Sequence, residues 1–188
     1  MPVKKSKNLI ATIDCALVTI ETADGEFGFD TANQIKVEPQ IDEQKNVTLI
    51  VKGILRAQKP AVSTITGHKI TLNDNLFNPK LVLILQGGEI IYDSVDPEKI
   101  VGYKPPLAGS GERGEVFTLN AYTTQYDSSG QIVRHEKISY PNCQGVPIAF
   151  SSEDGVFRVP EYVINSAPKS DERPYEIRWL DELPTLVD

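Results

Sequence analysis

His68 and His135 are the only two imidazoles in the chain, so histidine-based acid–base or nucleophilic chemistry has to run through one of them. His68 sits in Thr66-Gly67-His68-Lys69, where a turn or strand residue is the default reading. His135 alternates with Arg134 and Glu136, which reads as a solvated cross-strand pair. No G-x-S-x-G elbow supplies a strained nucleophile. A Ser–His or Cys–His pair assembled in space stays open, because such sites are recognised by geometry.

Acidic pairs occur at Asp93/Asp96, Glu153/Asp154 and Asp181/Glu182. Carboxylates that cleave a glycoside must face each other across the sugar, and a spacing in sequence does not establish that. Asp93–Pro97 reads as a loop and Glu153-Asp154-Gly155 as a turn. Asn73-Asp74-Asn75 lacks the spaced acids of a calcium loop and reads as an Asx turn ahead of a helix. Gly109-Ser110-Gly111-Glu112-Arg113-Gly114 matches the spacing of a dinucleotide-binding loop. That chemistry needs a strand before the glycines and a helix after them; here Pro105-Pro106 precedes and a strand-like run follows. Cys15 and Cys143 are too few for a closed zinc site or a disulfide scaffold and read as small buried hydrophobes, with a single bridge between them left open. The expected inventory is no catalytic residue, no cofactor and no metal ligand.

The 188 residues suffice to bury a core without staples. A formal net charge of −7 disfavours a general nucleic-acid binder, which needs clustered Lys and Arg. Lys4, Lys5 and Lys7 precede an apolar run, but Asp14 and the alternating threonines argue against a secretory leader. Asp14 before Cys15 argues equally against a lipoprotein site. The sequon Asn46-Val47-Thr48 has meaning only on a secretory route. No run approaches the length of a membrane span, and the expectation is a soluble protein made in the cytoplasm.

The elements that would position these residues are mostly strands. Apolar and β-branched runs separated by Gly, Pro, Asn and Asp predict strands over Leu9–Ile20, Ile35–Glu38, Asn46–Ala57, Val62–Leu72, Val116–Tyr126, Gln131–Tyr140, Val146–Ser151, Phe157–Ser166 and Tyr175–Leu180. Asp127-Ser128-Ser129-Gly130 predicts a hairpin turn. One helix is predicted at about 78–86: Asn78 caps it, Pro79 suits its first turn, and Gly87-Gly88 stops it. Its nearly all-round apolar surface, Leu81–Leu85, implies burial on more than one side. The expected fold is mainly β, a sandwich or barrel-like domain over 1–188 with one short flanking helix. An N-terminal arm (1–8), a flexible Gly/Pro-rich loop (103–115) and a C-terminal tail (181–188) adorn it.

Several phrases occur together in a familiar order. Gly67-His68-Lys69-Ile70-Thr71-Leu72-Asn73-Asp74-Asn75-Leu76-Phe77-Asn78-Pro79 runs into Leu81–Leu85 and Gln86-Gly87-Gly88. Arg134–Ile138, Tyr140-Pro141-Asn142-Cys143, Phe157–Tyr162, Asn165-Ser166-Ala167-Pro168 and Pro174–Ile177 follow. In this order, over roughly residues 45 to 180, the chain resembles the major tail tube proteins of phages and prophages of Gram-positive bacteria.

The resemblance implies a virion subunit, assembled in the host cytoplasm, that closes into rings, usually six-fold, and stacks them into a hollow tube through which DNA is ejected. Its implied partners are copies of itself, the tape measure protein, the tail terminator and baseplate or tip proteins, with a sheath if the tail is contractile. DNA would slide past a lumen without specific binding, which an acidic or neutral lining favours. Two other readings stay open: a tail terminator or other ring-forming β-protein of an injection machine, and a monomeric carbohydrate-binding sandwich that would use Trp179 and exposed tyrosines.

Overall fold

The computed structural model describes residues 11–186. The N-terminal arm expected at 1–8 lies outside the described residues, as does the end of the tail expected at 181–188. The fold is mainly β, antiparallel throughout, with one short helix. Its strands are β1 (Thr12–Thr22), β2 (Gly25–Phe29), β3 (Ala32–Glu43), β4 (Val47–Val51), β5 (Ile54–Lys59) and β6 (Ser63–Asp74), followed by helix α1 (Pro79–Gln86). After the helix come β7 (Glu89–Tyr92), β8 (Ile100–Lys104), β9 (Phe117–Tyr126), β10 (Ile132–Gly145), β11 (Glu161–Ser166) and β12 (Glu176–Leu180).

An eight-stranded sheet runs in the order β2-β1-β9-β10-β11-β6-β3, with β12 pairing onto β10. β4–β5 and β7–β8 are separate two-stranded ribbons. On the edge away from β9, β10 serves two partners, β12 along His135–Ser139 and β11 along Cys143–Gly145. The switch falls at Pro141-Asn142, where the ladder to β9 shifts register and Asn142 takes φ 47°. Pro141 has no N–H to give a ladder, so an irregularity is the tolerable place for it inside a sheet. Although they lie far apart in the strand order, β3 returns close to β1. Val18, Ile20, Phe29, Ile70, Leu72, Phe117, Leu119, Tyr162 and Ile164 fill the enclosed core.

Helix α1 closes this core with Leu81, Val82, Ile84 and Leu85, all buried. Asn78 Oδ1 accepts from the backbone N–H of Lys80 (3.0 Å) and Leu81 (3.3 Å), which satisfies two of the donors a helix start leaves free. Gly87 ends it with φ 78° and donates its N–H to Leu83 O. The cap, the proline and the glycine stop sit where the sequence placed them. The helix's wide apolar surface is buried within the chain itself.

Several predicted boundaries are corrected. Asn46–Ala57 is two strands and not one: Lys52 and Gly53 have φ 49° and 77° and turn the chain between Val51 and Ile54. β3 extends well beyond Ile35–Glu38, because β6 pairs with it as far as Glu43. Val146–Ser151 forms no strand. Its backbone is used instead to tie the helix to β11, with Ile148 N–H on Gln86 Oε1 (3.0 Å) and Val146 N–H on Val163 O (2.9 Å). Phe157–Pro160 likewise lie outside β11. β2, β7 and β8 lie where the sequence predicts no strand.

The segment expected to be a loop from Tyr103 begins two residues later, since Tyr103 and Lys104 close β8. Both its flanks are held. The Tyr103 hydroxyl donates to Gly87 O (2.5 Å) and accepts from Gln86 Nε2 (2.8 Å), and Glu115 N–H donates to Ile84 O (2.9 Å).

Candidate assembly interface

The residues with chemical potential stay apart. His68 lies on β6, buried, and its ring meets Tyr140 and Tyr175 edge-on at centroid distances of 5.2 and 5.6 Å. Its Nδ1 has no hydrogen-bond partner among the described residues, and burial pushes the imidazole below its ordinary pKa. His135 is buried too, against the solvated pair expected of it. It stands opposite Thr124 on β9 and Leu180 on β12, and its Nδ1 lies 3.2 Å from Thr124 Oγ1. β12 covers a position that a hairpin alone would leave wet.

The acidic pairs lie on separate exposed turns. Asp93 Oδ1 accepts from the N–H of Val95 (2.8 Å) and Asp96 (3.2 Å) in the β7–β8 turn. Glu153–Val156 forms a turn with Gly155 at φ 75°. Asp74 Oδ1 accepts Leu76 N–H (3.2 Å), the Asx turn expected ahead of the helix. Gly109, Gly111 and Gly114 precede β9 with no helix after them, so their amides do not form a phosphate cradle. Cys143 is in the core with its thiol pushed up to about 12, chiefly by burial. Cys15 is half-buried, and both thiols are free.

One part of the fold does call for an explanation beyond the chain. Every residue from Glu38 to Thr66 is exposed, although most of them are hydrogen-bonded into ladders. The outer halves of β3 and β6 and the whole β4–β5 ribbon form an arm that projects from the core. It carries Ile41, Val47, Leu49, Ile50, Val51, Ile54, Leu55, Val62 and Ile65, with Leu49 at 55% and Ile50 at 61% exposure. A two-stranded hairpin alone in water is marginal, and nine exposed large apolar side chains on one arm are a feature expected of an interaction surface. The edges differ in how they are guarded. β3 carries Pro39 on its free side, a device that discourages further pairing. β4, Val47-Thr48-Leu49-Ile50-Val51, has neither proline nor charge within it.

A second exposed cluster lies beyond the helix start. Arg158 stacks over Phe77 (5.0 Å) and Phe150 (5.3 Å), while Phe157 beside it is 96% exposed. Trp179, the candidate sugar platform, carries the Arg134 guanidinium 5.0 Å from its ring centre. A cleft of about 490 Å³ runs beside β2, lined by Glu26, Phe27, Asp30, Asn78, Lys80 and Leu186 among others. Sequence reasoning missed the arm as an interface, because its apolar runs look the same whether this chain or another copy buries them.

No family model matches this chain, and no curated protein matches it. Among solved structures it is similar to a chain of the six-fold symmetrised cryo-electron-microscopy structure of the anti-feeding prophage baseplate, with a TM-score of 0.38 and 9% identity over 93% of this chain and 97% of that one.

Proposed function

We propose that this protein is a structural subunit that assembles with copies of itself into stacked rings forming a hollow tail tube for DNA ejection. The observation that carries self-assembly is the exposed apolar arm from Glu38 to Thr66. The tube reading adds the order of sequence phrases, which resembles that of phage tail tube proteins. The work of such a protein is geometric; it needs no catalytic residue, cofactor or metal. Tape measure, terminator and baseplate proteins are its partners in this reading, within one tail domain.

Magnitudes favour a closed assembly over an isolated pair. Fully burying a Val, Leu or Ile contributes about 1.5–3 kcal/mol. Covering the six half-exposed apolar residues of the arm tip, Val47, Leu49, Ile50, Val51, Ile54 and Leu55, therefore contributes roughly 5–10 kcal/mol. Association costs about 4–15 kcal/mol, so one arm contact does little better than break even. A ring in which each copy gives one arm and receives another closes without extra ends.

Negative-stain microscopy of the purified chain over a concentration series tests this reading. Rings that stack into hollow filaments support it. Single rings that never stack point to a terminator, and a monomer at every concentration that is retained on glycans points to a carbohydrate-binding sandwich.

A further inference from the structure

Charge is segregated between two neighbouring hairpins of this chain. From Thr12 to Asn33 the β1–β2 hairpin and its flanks carry Asp14, Glu21, Asp24, Glu26 and Asp30 and no Lys or Arg. Beyond Glu38, Asp42 and Glu43 at its root, the arm from Gln44 to Thr66 carries Lys45, Lys52, Arg56 and Lys59 and no Asp or Glu. Two hairpin regions, each of one sign and opposite to the other, are complementary in charge.

The edges match as well as the charges. β2 hydrogen-bonds only to β1, so its other edge is open among the described residues. Gly25-Glu26-Phe27-Gly28-Phe29 holds no proline and no lysine to guard that edge. Asp24 and Asp30 bracket it directly, both exposed. β4 is also five residues long and open along one edge, and Lys45 and Lys52 bracket it. Glu26 is already engaged, accepting from Thr19 Oγ1 (2.5 Å) and Asn120 Nδ2 (3.4 Å), so the flanking aspartates are the free charges.

Resting on the self-assembly reading above, we propose that β4 of one copy adds as a strand to the free edge of β2 in a second copy, with Lys45 and Lys52 meeting the Asp24/Asp30 bracket. Both strands have charge flanking each end, so either strand direction brings lysines toward aspartates. Main-chain hydrogen bonds supply the attachment, and the charges select the partner edge and oppose β4–β4 and β2–β2 pairing. Leu186, packed over Gly28 where a Cβ would collide with it, and Phe27 provide the apolar wall of the cleft beside this edge, which receives the arm's apolar residues.

The test is a charge-swap experiment on the full chain. One variant carries Lys45→Glu, Lys52→Glu, Arg56→Glu and Lys59→Glu; the other carries Asp24→Lys and Asp30→Lys. All six positions are exposed, and circular dichroism confirms folding. Each variant alone should need roughly ten-fold or more higher concentration to assemble, while an equimolar mixture should assemble near the wild-type concentration. Benzoylphenylalanine in place of Leu49 should cross-link to residues 24–30 of another copy. A wild type that assembles while the mixture stays dissociated, or cross-links that map elsewhere, overturns the strand-addition proposal and leaves self-assembly standing. A wild type that stays monomeric overturns both.

Discussion

Val51 pairs with Ile54 across the tip of the arm, and the two residues between them, Lys52 and Gly53, both adopt positive φ. That is the backbone of a type I′ turn, whose twist suits two strands joined by two residues. Gly53 takes its conformation without strain; a Cβ there costs about 1 kcal/mol. Because the tip lies outside the core, Gly53→Ala should leave the melting temperature of the domain unchanged. It should raise the concentration needed for assembly about five-fold, and Lys52→Asn should lower it. Calorimetry and light scattering on the same samples check both halves.

Gly145 backs directly onto Leu85, so close that a Cβ on it would collide with Leu85 Cα, Cβ and O, while Gly114 is pressed against the carbonyls of Ile84 and Leu85. These two glycines let β10 and the strand approach to β9 clamp the end of α1. Gly145→Ala should cost about 1–3 kcal/mol through overpacking and lower the melting temperature by roughly 3–10 °C. Urea denaturation should show a lower midpoint with an unchanged slope.

Burial opposes the charged form of His68 and lowers its pKa in the folded chain. Its folded pKa is below the unfolded value, so the unfolded state binds more protons on descending through that window. Its contribution to stability is complete above about pH 6.5 and is lost as pH falls toward the lower folded value. Since His68 lies one residue beyond Gly67 at the root of the arm, its protonation should loosen that root. The wild type should lose melting temperature between about pH 7.5 and 5.5. His68→Phe, which keeps the aromatic contacts to Tyr140 and Tyr175, should show a flatter profile.

The two thiols should react at different rates. Cys143 is buried, with its thiol pushed up to about 12 and its Sγ donating to Tyr140 O (3.2 Å). Cys15 is also shifted upward by burial but is partly exposed. Iodoacetamide on the native protein should therefore modify Cys15 first and leave Cys143 until the chain unfolds. Mass spectrometry of timed samples reads this directly.

Local signals in the sequence located the elements whose ends are dictated by backbone chemistry. Asn78-Pro79 and Gly87-Gly88 bound the helix because capping and positive φ require such residues. Asp127 and Gly130 mark the β9–β10 turn for the same reason: Asp127 Oδ1 accepts the N–H of Ser129 and Gln131, and Gly130 has φ 81°. Where the determinant is tertiary, propensity misleads. Val146–Ser151 is apolar enough for a strand, but Ile148 N–H goes to Gln86 of the helix and Val146 N–H to Val163 of β11. Lys52-Gly53 is weakly marked, since lysine rarely takes positive φ, and the arm read as one strand. The candidate interface was the least legible part. An apolar strand destined for a neighbouring copy has the same alternation as one destined for its own core. Only its exposure in the folded chain separates the two.

The central claim is that the arm joins copies of this protein, and sedimentation velocity of the full chain beside an arm-shortened variant tests it most directly. In that variant residues 44–62 are replaced by a short Asn-Gly turn joining β3 to β6. The full chain should sediment as large, concentration-dependent species, while the shortened chain stays monomeric with an unchanged melting temperature. A full chain that remains monomeric throughout, or a shortened chain that assembles equally well, would contradict it.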